Sequence, residues 1–492
     1  MQDMRSILRQ LRHPSGPVSN ILVDPFVLDF CQFWADIYDL VQQERIPKIS
    51  KTATLTRLFR DTHTLPFYEK YKAYDFVECF PAYWDRLGAI CFQWKEGWIA
   101  FPLRLITYEL AYPQENLVKT YLHHLATGTL PGDRETLFAF LFPRLYQFAL
   151  PLSEYDVTLL KGFQMVFDRC ANFFRGPTIK EFVTHLPHVT PETIRNKLEH
   201  FQFFQLAIDM FFPDMGKLGY ETYLISHVRS IPAELDPYRL STVNFGPENL
   251  SLLQLPTSSS TLFAQLQIFI EQNSPPVAII EPLTWRTHSW NLTSLTGGNP
   301  YWEPPVEFFY GDLHTAPSVS PPTLDISVVP MFDPFRPLTP ADLKLLGFLT
   351  TVGNTIRIKD ICTQLQLHHK TVVQLMAEYW EHQLLHRVVQ FFNIGLDLTA
   401  SLYLDVPRGS ESFPFLQQCL TLPRIDMFLI EGKTSTTYYG HIDIPSIWVK
   451  DFVTRMRTIR DAFPDITLHY TFEPPSPAKW NLSLPQTYSH FV

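Results

Sequence analysis

Short segments of this chain recur in register, and a chain that repeats itself has to be divided into repeated units before any single motif in it is interpreted. Glu115-Asn116-Leu117 returns as Glu248-Asn249-Leu250, 133 residues later, and each triplet opens an apolar, strand-like run. Thr136-Leu137-Phe138-Ala139 then returns as Thr261-Leu262-Phe263-Ala264 in the same relative place. A glycine step precedes both, Leu87-Gly88 and Leu218-Gly219, 131 residues apart, and Ile394-Gly395 supplies a third. The pattern predicts three related copies in one chain.

The C-terminal third is the most regular, because its apolar period switches between about 3.6 and 2. Thr339-Pro340-Ala341-Asp342 reads as an N-cap, a proline at the first helical position and an acidic first turn, so a helix runs to about 352. Helices over 358–365 and 368–382 and a strand over 384–392 complete a winged helix-turn-helix pattern. Strands over 401–406, 425–431, 436–444 and 466–472, with helices over 413–420 and 448–463, come next in βαββαβ order, the ferredoxin-like unit. The middle third has helices over 157–174, 179–186 and 190–201, a wing strand over 204–212, and a helix over 261–271. The first third carries helices over 25–43, 53–60 and 66–73 and is placed mainly by the echo. The expected fold is α+β: three tandem units of winged helix-turn-helix, each followed by a ferredoxin-like βαββαβ domain. The expected boundaries are a degenerate winged helix at 1–85, ferredoxin-like unit 1 at 86–153, winged helix 2 at 154–216 and ferredoxin-like unit 2 at 217–283. A Pro- and aromatic-rich linker at 284–337, winged helix 3 at 338–393, ferredoxin-like unit 3 at 394–475 and a tail at 476–492 complete the division. Trp285, Trp290, Tyr301 and Trp302 would pack parts of the linker.

Composition limits the classes available. With 46% apolar and 18% charged residues over 492 positions, the chain holds enough apolar mass for several cores and is not disordered. No uninterrupted apolar run reaches about 18 residues and the first twenty residues lack a secretory pattern, so a cytoplasmic chain with no membrane partner is expected. The six cysteines, Cys31, Cys79, Cys91, Cys170, Cys362 and Cys419, form no CxxC pair and are expected as buried thiols.

A winged helix followed by a βαββαβ unit, with a glycine before its first strand, resembles the Lrp/AsnC (feast/famine) family of transcription regulators. The residues carrying this resemblance are Thr193-Ile194-Arg195-Asn196-Lys197-Leu198-Glu199-His200-Phe201 and Val372-Val373-Gln374-Leu375-Met376-Ala377-Glu378-Tyr379-Trp380, which look like recognition-helix frames. The resemblance implies a non-catalytic regulator whose partner is double-stranded DNA and which needs no cofactor. Lys48, Lys51, Arg57, Arg60, Thr193, Arg195, Lys197, His369 and Lys370 would then be its DNA-binding residues. Charge distribution bears on this, because phosphate contacts need cations on the elements flanking the groove. Residues 45–72 hold seven cations against two anions, 158–200 six against four, and 339–390 five against four, in a chain of net charge −9.

In the same family the βαββαβ unit associates between subunits and can bind an amino acid or related small molecule near a Gly-x-x-Asp turn. The corresponding residues here are Gly246 and Asn249, in Gly246-Pro247-Glu248-Asn249, and Gly432 and Ser435, in Gly432-Lys433-Thr434-Ser435. The first copy, Tyr112-Pro113-Gln114-Glu115-Asn116, lacks the glycine, and every copy lacks the Asp. Asn and Ser at such places are also what turn geometry alone favours. An odd number of sheets leaves one without an internal partner, so a homodimer through the last unit is expected.

Enzyme signatures are absent. Glu431-Gly432-Lys433-Thr434 mimics the end of a phosphate loop, but its upstream glycine would fall at Met427. There is no HExxH, GxGxxG or GxSxG, and His185-x-x-His188 and His123-His124 lack partners at metal-ligand spacing, so no metal site is expected. Asn291-Leu292-Thr293 and Asn481-Leu482-Ser483 fit glycosylation sequons by chance. Two other readings remain open: a protein-interaction scaffold whose winged helices no longer bind DNA, and a small-molecule sensor.

Overall fold

A computed structural model describes residues 4–13, 22–43, 70, 108, 116–147, 152–169, 178–203, 206–246, 249–272, 285–298, 301–317, 323–327, 335–352, 358–392, 394–408, 414–432 and 434–473. The chain divides into two compact units. One comprises Met1–Pro151, Leu186–Ala207 and Phe391–Ile394; the other comprises Leu152–His185, Ile208–Gln390 and Gly395–Val492. The architecture is α+β with several antiparallel sheets.

The first compact unit is mainly helical in its described residues. In α1 (Met4–Arg12) the buried Met4, Ile7, Leu8 and Leu11 keep an i, i+3, i+4, i+7 stripe. Helix α2 (Pro25–Gln43) is capped by Asp24, whose carboxylate accepts from Phe26 N–H at 2.8 Å and from Arg134 Nε at 2.7 Å. The segment after Glu115-Asn116, expected to be a strand, is the helix α3 (Leu117–Ala126). Asn116 is its N-cap, accepting from Lys119 N–H at 2.8 Å, and Leu117, Val118, Tyr121, Leu122 and Leu125 are buried at helical spacing. The cap and the 3.6 period outweigh the echo, so the first copy departs from the expected βαββαβ order. Helix α4 (Arg134–Gln147) comes next.

Three helices of the second compact unit start with the same reciprocal cap. Ser153 and Asp156 cap α5 (Glu154–Arg169), and Thr178 and Glu181 cap α6 (Ile179–His185). Helix α7 (Pro191–Phe203) belongs to the first compact unit. Strand β1 (Ala207–Pro213) is the expected wing of the second copy, and it pairs with the wing strand of the third, Leu385–Phe391.

Strands β2 (Tyr220–His227), β3 (Arg239–Asn244) and β4 (Asn249–Pro256) form an antiparallel sheet in the order β2-β4-β3. Between β2 and β3 the described helix is a single 3₁₀ turn, Asp236–Tyr238. Alternation sorts the two faces of this sheet. Tyr223, Ile225, Leu253 and Leu255 pack with Leu266 and Phe269 of α8 (Ser260–Gln272). Leu224, Val243, Leu250 and Leu252 point the other way.

The stretch expected as a linker is built into the fold. It supplies β5 (Trp285–Trp290), the short pair β6 (Leu295–Thr296) and β7 (Tyr301–Trp302), helix α9 (Val306–Phe309) and β8 (Thr323–Ser327). Trp290 and Trp302 are buried, as expected. Helix α10 (Pro340–Val352) begins at a third reciprocal cap, Thr339 with Asp342. Helices α11 (Ile358–Leu365) and α12 (His369–Glu381) and strand β9 (Leu385–Phe391) complete the winged pattern within about two residues of the expected bounds.

Strands β10 (Leu398–Pro407), β11 (Arg424–Glu431), β12 (Ser435–Ile444) and β13 (Thr467–Glu473), with α13 (Phe415–Cys419) between β10 and β11 and α14 (Val449–Ala462) between β12 and β13, keep the expected βαββαβ order. Their sheet continues through the former linker, in the order β13-β10-β12-β11-β5-β8.

One face of this six-stranded sheet presents Tyr403, Phe428, Ile430 and Tyr439 to Leu224, Val243, Leu250 and Leu252 of the smaller sheet. The last copy's sheet is therefore covered within the chain, which removes the argument for a homodimer through it. Cys31 and Cys419 are buried and Cys362 half-buried; the other three cysteines lie outside the described residues.

Side chains of α13 and α14 grip the former linker. Gln418 Nε2 donates to the carbonyls of Asp312 (2.9 Å), Leu313 (3.3 Å) and Thr315 (3.2 Å). Arg455 donates to Gly311 O at 2.9 Å and to Gln418 Oε1 at 3.2 Å. Phe308 stacks on Phe452, and Phe309 meets Trp448 edge to face. Truncating Gln418 strands these partners, so Gln418→Ala should lower unfolding stability by about 1–3 kcal/mol, measured as a reduced urea midpoint at unchanged slope.

Candidate functional site

Beside the smaller sheet, where β2 ends and β3 begins, lies an open cavity of about 470 Å³. His227, Ser230, Asp236, Arg239, Thr242 and Asn249 supply its polar lining. The 3₁₀ turn places Asp236 three residues before Arg239, and the two pair at 2.8 Å. Phe269 of α8 packs against the His227 ring, with centroids 5.9 Å apart.

A hydrogen-bond chain leads from this lining into the sheet. His227 Nδ1 lies 2.6 Å from Arg229 O, and a carbonyl can only accept, so Nδ1 carries a proton. Burial, the largest influence, and the Arg239 charge hold the His227 pKa below its ordinary value, which makes the ring neutral and Nε2 an acceptor. Ser251 Oγ, 2.8 Å from Nε2, must then donate to it. Thr242 Oγ1, 2.5 Å from Ser251 Oγ, donates in turn, and Arg239 Nη1 donates to Thr242 at 3.4 Å. Both hydroxyl protons point away from the cavity and toward His227.

The ligand-binding residues expected from sequence are split by the structure. Asn249 lines this cavity, whereas Gly246 shapes the β3–β4 turn, with φ +100° and its N–H on Asn244 Oδ1 at 2.8 Å. Gly432 follows β11 and Ser435 opens β12, where Arg408 N–H, just past the end of β10, donates to Thr434 O at 2.8 Å. Of the expected DNA contacts, Lys48, Lys51, Arg57 and Arg60 lie outside the described residues. Thr193 Oγ1 is 2.8 Å from Thr190 Oγ1, and its N–H bonds the same oxygen in the cap of α7. Arg195 is exposed and Lys197 half-buried; His369 and Lys370 are exposed in the first turn of α12. Among the described residues no cluster of His, Cys, Asp and Glu is arranged to hold a metal ion, and no helix is long and apolar enough to cross a membrane.

A second polar constellation, not anticipated from the sequence, occupies the face of the six-stranded sheet that also carries Phe428 and Tyr439. Register sets it out in rows across the strands. His288, Asp426, His441 and Ser401 form one row, and Trp290, Arg424, Asp443 and Thr399 the next. All eight are at most 5% exposed. Arg286 forks onto Asp426, with Nε on Oδ1 at 2.7 Å and Nη2 on Oδ2, and lies over the rings of Phe212 (4.7 Å) and Phe428 (5.4 Å). Gln390 Nε2 reaches His288 Nε2 at 3.1 Å. Arg424 holds Asp443 at 2.9 Å, Thr399 donates to the same carboxylate at 2.5 Å, and Ser401 meets His441 at 2.9 Å. The signal for this layer was in the sequence as Arg286-x-His288, Arg424-x-Asp426 and His441-x-Asp443. On a strand, i and i+2 share a face.

No protein-family model and no curated protein matches the sequence. Two similar solved structures are the siroheme decarboxylase NirDL in co-complex with an iron-uroporphyrin III analogue, at TM-score 0.38, and the siroheme decarboxylase NirDL, at 0.37. Each is 9% identical and covers 63% of this chain and 90% of the other. Likeness at this level transfers no activity to the present chain. The expected membership of the Lrp/AsnC family, and the DNA-binding regulator drawn from it, do not stand: no family model and no curated relative supports them.

Burial pushes the Asp426 carboxyl up, but the Arg286 guanidinium outweighs it, and the carboxyl lies well below the ordinary carboxylate range. Asp426→Asn leaves a buried arginine uncompensated and should cost about 3–5 kcal/mol in chemical denaturation. Burial lowers the His288 pKa, so the unfolded chain binds its proton more readily. Stability should then decline as pH falls below the ordinary histidine value of about 6.5, and His288→Gln should make that decline shallower.

Proposed function

We propose that this chain works by binding rather than by catalysis, holding a small polar molecule in the cavity between His227 and Arg239. The observation that carries this reading is the wall of the cavity. It offers a cation, a carboxylate, an imidazole, two hydroxyls and a carboxamide at the open end of a sheet whose two faces are packed against α8 and the six-stranded sheet. A concave site with a few convergent polar groups is the usual form of a small-molecule site.

The Ser251–His227 pair has the spacing of a nucleophile and its base, yet Ser251 is fully buried and its oxygen is shared with Thr242. That supports recognition over acyl transfer. The cysteines Cys31 and Cys419 are fully buried, and burial raises both thiols, which makes them poor nucleophiles.

Thermal melting of the full chain against a panel of amino acids, carboxylates, phosphate esters, amines and polyols tests the reading. At least one class should raise the melting temperature, by the equivalent of about 2.7 kcal/mol at a hundredfold excess over Kd, and Arg239→Ala should abolish the rise. If no member produces a shift that depends on Arg239, the reading fails.

A further inference from the structure

We propose that the cavity beside His227 takes a small anion, a carboxylate or phosphate group, and that His227 takes up a proton as the anion binds. The inference rests on the ligand-binding reading and adds the ligand's chemistry and its linkage to pH.

The charges that line the site cancel. Arg239 and Asp236 pair with each other, so the wall formed by the described residues is neutral while His227 is neutral. Among the described residues, the other elements packed around the ring present no charge to it. Strand β4 brings Asn249 and Ser251, β3 brings Thr242 beside Arg239, and α8 brings Phe269. The backbone carbonyl of Arg229 holds Nδ1. In this state Thr242 has no proton to offer the cavity, because its hydroxyl donates to Ser251.

A proton on Nε2 reverses the hydrogen-bond chain. The imidazolium Nε2–H donates to Ser251 Oγ, the Ser251 proton turns toward Thr242 Oγ1, and the Thr242 hydroxyl, already receiving Arg239, can direct its proton only outward. One uptake therefore gives the cavity a positive charge and a hydroxyl donor together. Both suit an anion; the charge repels a cation and gains little from a neutral polyol, to which the hydroxyl donor alone could bond. The Nδ1–carbonyl bond is kept in both states, so no backbone has to move. By linkage, an anion that binds the protonated form better raises the proton affinity of His227 to the same extent. Burial and Arg239 lower that affinity in the empty site, which leaves room for the anion to raise it.

Equilibrium dialysis of the full chain with radiolabelled sulfate, which does not titrate near neutrality, tests the proposal at pH about 5.5, 6.5 and 7.5 and constant ionic strength. Affinity should rise as pH falls, by up to about tenfold per unit for one linked proton. His227→Gln should flatten the dependence and Arg239→Ala should weaken binding at every pH. Thr242→Val, isosteric and β-branched in a strand, should weaken binding mainly at the acid end and serves if the histidine variant fails to fold. Sulfate affinity that is independent of pH, or a slope that survives His227→Gln, overturns the proposal. If sulfate does not bind even at the acid end while an amine or polyol gives an Arg239-dependent thermal shift, the proposal falls and the ligand-binding reading stands. If neither occurs, both fall.

Discussion

The second compact unit depends on a buried ion pair between segments 140 residues apart. Arg286, on a strand that the sequence leaves in a linker, forks onto Asp426 of β11 and so fixes β5 to the edge of the βαββαβ sheet. A buried pair of this kind is not a large net source of stability, since taking both charges from water costs nearly what their attraction returns. Its effect is on register. A one-residue slip of β5 would turn Arg286 and His288 to the opposite face and leave Asp426 buried without a counter-charge. The same row sets how closely β11 and β12 approach. Gly440 stands opposite Met427, and a Cβ there would run into the Asp426 carbonyl and Met427 Cα.

Other described parts of the former linker attach to the same sheet and its helices. Strand β8 adds to β5, and Asn291, which fits a glycosylation sequon, spends its carboxamide on Thr421 O at 3.0 Å and its N–H on Pro423 O at 2.8 Å. The 311–315 loop lies in the grip of Gln418 and Arg455. The wings obey the same logic from the other side. Phe212 of β1 covers Arg286, and Gln390 of β9 reaches His288, so the paired wings cover the polar row.

Much of this was legible in the sequence where local chemistry and periodicity agree. The elements from 340 to 473 fall within about three residues of expectation because caps such as Thr339-x-x-Asp342 and clean 3.6 and 2 periods leave little choice. Ser153-x-x-Asp156 and Thr178-x-x-Glu181 carry the same cap signal. The echo misled at Leu117, where Asn116 caps a helix although Asn249, its counterpart, opens a strand. Three shared residues do not decide between the two; the spacing of the next apolar side chains does. Leu117, Val118, Tyr121 and Leu122 are spaced for a helix, whereas β4 is apolar on both faces because a sheet and a helix sandwich it. The charge layer was hidden for a related reason. Arg, Asp and His among apolar neighbours read locally as a solvated face, and only the strands on either side reveal that the face is buried.

The family resemblance that pointed to Asn249 does not hold, and the physical reason this residue lies at the cavity is different. It is the first residue of β4, directly opposite His227, the last of β2. A three-stranded sheet packed on both faces can meet solvent with its polar groups only at strand ends and edges, so the residues of chemical interest must gather there. The polar residues of the second compact unit thus serve in two ways. Arg286 with Asp426 and Arg424 with Asp443 are matched in ion pairs, which tie neighbouring strands together. The series from Arg239 through Thr242 and Ser251 to His227 is instead matched in sequence, each hydroxyl satisfied in either of two directions. A paired layer holds one arrangement, while a chain of hydroxyls between a cation and an imidazole has two of nearly equal hydrogen-bond content, and that degeneracy allows a single proton to change what the cavity offers.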